Sequence, residues 1–100
     1  MQRFVIAALV AAIALPAAAE TRKQRETRCA AQAEIVGQAV EMRKKRSSEA
    51  KVKEAILAET DTVYAASVPI LVGYVYTLHR NDLKADVRGA FEEQCNAFKQ

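Results

Sequence analysis

Two cysteines, Cys29 and Cys95, stand near opposite ends of the chain with no third thiol anywhere. If they join, any fold must bring those two places within about 7 Å, Cα to Cα. Whether they join depends on the compartment, and the first twenty residues speak to that. Met1-Gln2-Arg3 is a short positive start, Phe4 to Leu15 is an apolar run, and Pro16 ends it. Ala17-Ala18-Ala19 then places small residues at −3 and −1 of a cut before Glu20. That order is the signature of a cleaved secretory signal, and the run is shorter than the ~20 apolar residues of a spanning anchor. Residues 1–19 are therefore expected to be a signal peptide. Residues 20–100 are expected to form one helical domain, periplasmic or secreted, and not transmembrane after cleavage.

In an oxidising compartment an even pair of cysteines favours a disulfide over free thiols. A loop of about 67 residues gives roughly 4 kcal/mol in the loop-entropy account. That is comparable to the whole stability of so small a core. Neither C-x-x-C nor C-x-x-C-H spacing occurs, so the bond is read as structural rather than as a redox or haem site.

From Glu20 onward there are three glycines and one proline, and helical periodicity recurs. A first helix is predicted over about 22–46, with Cys29, Ala33, Val36 and Val40 on one face and Ile35, Ala39 and Met42 beside them. Ser47-Ser48 can cap a second helix, about 49–59, turned inward through Val52, Ala55 and Ile56. Thr60-Asp61-Thr62 reads as a break with a new cap. A third helix, about 62–80, carries Tyr64, Val68, Leu71, Val75 and Leu78, with a kink at Pro69 or a restart after Ser67. It has no charge from Thr62 to Leu78, yet it is short and holds Ser, Thr, Pro and Gly. A buried central helix is predicted there rather than a membrane span. Asn81-Asp82 can cap a fourth, about 83–98, lined by Leu83, Val87, Ala90, Phe91, Cys95 and Phe98.

The cysteines discriminate between topologies. Four antiparallel helices put the start of the first and the end of the fourth at the same pole. Fusing the second and third would send Cys95 to the far pole, tens of ångströms away at ~1.5 Å per residue. The fold class expected is thus all-α: a small antiparallel bundle of about four helices closed by one disulfide.

Little points to catalysis. His79 could share a face with Asp82 and Asp86, but a turn is expected between them, and a zinc site needs three or four ligands. A role as a helix-terminal polar residue is simpler. No G-x-S-x-G elbow or glycine-rich phosphate loop is present, and Glu92-Glu93 point to different sides of a helix. No metal and no cofactor is expected. The charge of residues 20–100, fourteen basic against twelve acidic, is too mild to imply nucleic acid. Its distribution is less even, for residues 20–46 hold eight of the basic groups. The run Arg43, Lys44, Lys45 and Arg46 completes the first helix with cations at its negative end. As a surface it suits an acidic protein, an anionic layer or a cell-wall polymer. Tyr64, Tyr74 and Tyr76 are read as core-edge residues, with a recognition rim as the alternative.

An early cysteine in a first helix ending in a basic turn, a Tyr-bearing central helix, and Phe91 shortly before a last cysteine form a recognisable layout. It resembles small two-cysteine helical secreted or periplasmic proteins of Gram-negative bacteria. The resemblance implies a periplasmic helical domain and brings no activity. Periplasmic acid-stress chaperones are similar in size and in having two cysteines, but their tryptophan-containing cysteine motif has no counterpart in a chain without Trp. The function expected is non-catalytic: a module that binds, inhibits or protects another protein. The alternatives are a stress holdase and, last, an enzyme using His79 with a nearby Asp.

Overall fold

Thr21 starts the first helix. In the computed structural model, which describes residues 20–98, its hydroxyl accepts the Gln24 N–H at 3.0 Å. The Gln24 side chain in turn accepts the Thr21 N–H at 2.9 Å, closing a capping box. The signal-peptide reading concerns residues 1–19 and lies outside the described residues. Helix α1 runs Arg22–Lys44, about 34 Å at 1.5 Å per residue. Its buried residues are Cys29, Ala33, Ile35, Val36, Ala39 and Val40, the stripe the spacing predicts.

Three helices of 11 residues each pack along this spine: α2 Glu49–Glu59, α3 Ser67–Thr77 and α4 Val87–Ala97. The order is up-down-up-down. Gln32 meets Ser67 and Arg43 meets Val75, so α3 runs parallel to α1. Cys29 joins Cys95 and Glu34 pairs with Arg88, so α4 runs antiparallel to it. The Arg88 stem lies on Gly37, where an added Cβ would come within 3.0 Å of its Cδ. The core is one cluster where the helices meet, with Val36, Val52, Ile56, Val68, Val72 and Val75 closed to solvent.

Helix boundaries differ from the sequence reading in three places, each for a local reason. Helix α1 stops at Lys44, and its end forms a Schellman turn. The Ser47 N–H bonds to Met42 O at 3.1 Å and the Arg46 N–H to Arg43 O at 2.9 Å. Arg46 occupies the left-handed position at φ 68°, where glycine is usual. The third predicted helix divides into a 3₁₀ turn, Thr62–Tyr64, and α3. The restart at Ser67 puts Pro69 in the first turn, where its missing N–H costs no intrahelical bond. The fourth helix begins at Val87, not Leu83, because Asp86 is its cap, accepting the Gly89 N–H at 2.9 Å. Leu83 still reaches the core, from a 3₁₀ segment, Arg80–Lys84.

Packing expectations also change. Ala55 and Ala90 face solvent, and Phe98, predicted to line the fourth helix, is 69% exposed. Helix α3 is buried on one side only, through Val68, Leu71, Val72 and Val75, while Ile70 is 73% and Tyr74 44% exposed. No helix among the described residues is long and apolar enough to cross a membrane.

Candidate functional site

The two poles of the bundle are built differently. At the first, Cys29 and Cys95 are joined, Cα to Cα 5.7 Å, and Cys29 is fully buried. Arg28 lies over the bond, its Nη1 3.6 Å from Cys95 Sγ. Glu20 holds Arg28 in a two-point ion pair, Nε–Oε2 2.9 Å and Nη2–Oε1 3.1 Å. The hydrogen bond from Arg28 holds the Glu20 carboxyl below its ordinary range, and the same bond raises Arg28. Arg22 pairs with Glu26 one turn along.

The opposite pole gathers the end of α1, the start of α2, the end of α3 and the 3₁₀ segment before α4. The four residues of the basic run separate into two roles there. Arg43 turns inward. Its Nη1 donates to Val75 O at the end of α3, and its guanidinium lies 5.4 Å from the centre of the Tyr76 ring. Tyr76 donates its hydroxyl to Ser47 O, which ties α3 to the α1–α2 turn, and burial pushes its phenol upward. Lys44, Lys45 and Arg46 are exposed. Lys44 reaches Glu41 at 3.6 Å. Lys45, Arg46, Lys51, Arg80 and Lys84 have no carboxylate within 4 Å among the described residues. Glu49, the first residue of α2, brings a carboxylate to this pole and pairs with Lys53 at 2.9 Å, and further along the bundle Arg88 pairs with Glu34 at 2.8 Å.

Arg80 and Lys84 are the residues that sequence reasoning missed. With Lys44, Asn81 and Leu83 they line one cleft of about 470 Å³. The predicted topology alone places the α3–α4 connection beside the α1–α2 turn, and that signal could have found them.

His79 is exposed and starts the 3₁₀ segment; its backbone N–H donates to Asp82 Oδ2 at 3.3 Å. Asp86 serves α4 as its cap. Among the described residues no hydrogen bond joins the His79 ring to either carboxylate, and no group of three or more His, Cys, Asp and Glu side chains comes together as a metal site. The tyrosines divide as well: Tyr64 and Tyr76 sit at the edge of the core, and Tyr74 faces out.

No protein-family model, no curated protein and no solved structure matches this chain.

Proposed function

We propose that this protein is an exported, non-catalytic binding module that docks an acidic face of another protein on its cationic pole. One observation carries the reading. Exposed cations from two separate connections share that pole, and Lys45, Arg46, Arg80 and Lys84 have no carboxylate partner there among the described residues. Unpaired like charges repel one another, so their grouping is costly unless an anion is met there. Arg46 adds to this, because it holds a backbone position where glycine would be less strained. The export part of the proposal rests on the secretory pattern of residues 1–19, the disulfide, and the layout shared with small two-cysteine periplasmic proteins.

Capture of partners from a periplasmic extract tests it. The wild-type protein should retain a partner that Lys45→Glu with Arg46→Glu releases, and retention should fall with added salt. Arg43 must be left intact, since its loss disturbs the fold. No partner, or retention indifferent to reversal, counts against the proposal.

The exposed side of α3 favours a second reading, a stress holdase. Ile70 and Tyr74 on α3, and Val63 on the 3₁₀ turn before it, are large apolar side chains left exposed on the outside of the bundle. Suppression of client aggregation, measured across pH with the disulfide oxidised and reduced, separates the two.

A further inference from the structure

We infer that the cleft between the end of α1 and the Arg80–Lys84 segment is a seat for a phosphomonoester dianion. The inference rests on reading this pole as anion-binding and names the group it takes. Lys44 enters from α1, and Arg80, Asn81 and Lys84 enter from the 3₁₀ segment, around an apolar floor at Leu83. Three cations and one amide thus face a single concavity. Concave, low-dielectric walls focus a field of one sign more strongly than a flat surface does.

The nearby carboxylates do not cancel that field from within the cleft. Asp82 and Asp86 are turned to backbone N–H groups of His79 and Gly89, and neither lines it. Glu41, which reaches Lys44 at 3.6 Å, lines a neighbouring groove beside Gly37 and Arg88 and is not among the residues lining this cleft.

The donor set selects among anions. A carboxylate has two oxygens and one charge, which a single arginine fork satisfies. A phosphomonoester has three terminal oxygens and a charge near −2 at neutral pH. One planar guanidinium, two mobile ammonium groups and an Asn NH₂ match three oxygens and two charges. The same chemistry comes from a soluble phosphate ester or from a lipid carrying a terminal phosphate.

Amide NMR of the oxidised protein tests this with two probes. These are glycerol 3-phosphate in solution, and vesicles of phosphatidylcholine with and without phosphatidic acid. Acetate serves as the monoanion control. Saturable shifts at Arg80, Asn81 and Lys84 with glycerol 3-phosphate, absent with acetate, support the seat. So does loss of those signals on phosphatidic-acid vesicles alone, which would identify the lipid as the source. Binding should weaken below about pH 6, where the dianion takes up a proton and becomes a monoanion. Arg80→Gln with Lys84→Gln should weaken it about tenfold or more. Both side chains are exposed, so a dispersed spectrum of the variant will show the fold intact.

The inference is overturned if neither probe binds, or if the double variant binds as wild type. It is also overturned if Lys23 and Arg25 at the opposite pole shift as much as Arg80 and Lys84, the mark of general ionic screening. If it fails while Lys45→Glu with Arg46→Glu still abolishes protein capture, the seat falls and the docking pole stands. A phosphate seat with capture indifferent to that reversal means the opposite.

Discussion

The two poles of this bundle use the same residue types for opposite ends. At the disulfide pole, Arg28 is spent inside the structure, clamped between Glu20 and the sulfur of Cys95. At the turn pole only Arg43 is used that way, on Val75 O and Tyr76, while Lys45, Arg46, Arg80 and Lys84 stand in solvent with no carboxylate partner among the described residues. A basic residue therefore says little by its identity. What decides its role is whether the topology hands it a carboxylate or a carbonyl. The first pole closes the fold, and the second is left charged.

The largest expected effect removes the closure. Replacing Cys29 and Cys95 together by Ser should cost about 3–4 kcal/mol in urea unfolding, the loop-entropy value for a bridge this long. A midpoint that hardly moves would mean the first pole is not where the stability lies. Next, Arg43→Ala should cost about 2 kcal/mol, from a charged hydrogen bond and a ring contact, whereas Lys45→Ala should change stability by less than about 0.5 kcal/mol. Equal effects would erase the division within the basic run. Arg46→Gly works in the other direction. It relieves the left-handed backbone and should stabilise by roughly 1 kcal/mol while weakening partner capture.

The smallest effect is in acid. Arg28 lowers the Glu20 carboxyl in the folded state. Its contribution is therefore present above the unfolded pKa and is lost as pH falls through the folded one. Glu20→Gln should lower stability slightly at neutral pH, leave it unchanged once pH is below the folded pKa, and so flatten the acid limb of the profile. A steeper acid limb in the variant would contradict the sign.

Much of the fold could be read from residue order because its determinants are periodic. The α1 stripe from Cys29 to Val40 and the cap at Ser48 are local patterns, and the number of chain reversals follows from requiring the two cysteines to meet. The misreadings fall where two local signals compete. Asn81-Asp82 reads as the cap of the fourth helix, but Asp86 holds that place, because Gly89 offers its N–H with no Cβ in the way. Ile70 and Tyr74 lie in the oiliest segment, yet α3 finds neighbours on one side only. Of the candidate site, the run Arg43 to Arg46 was visible, but its partition was not. Arg43 depends on a carbonyl 32 residues away, and Arg80 and Lys84 join Lys44 only through space.

The account stands most directly on a matched pair of charge reversals. Lys45→Glu with Arg46→Glu alters the turn pole, and Arg22→Glu with Lys23→Glu makes the same change in net charge at the disulfide pole. With partner association followed at moderate salt, the first pair should abolish binding and the second should leave it near wild type. Equal loss from both would show that only net charge matters, and the cationic pole would no longer be a binding surface.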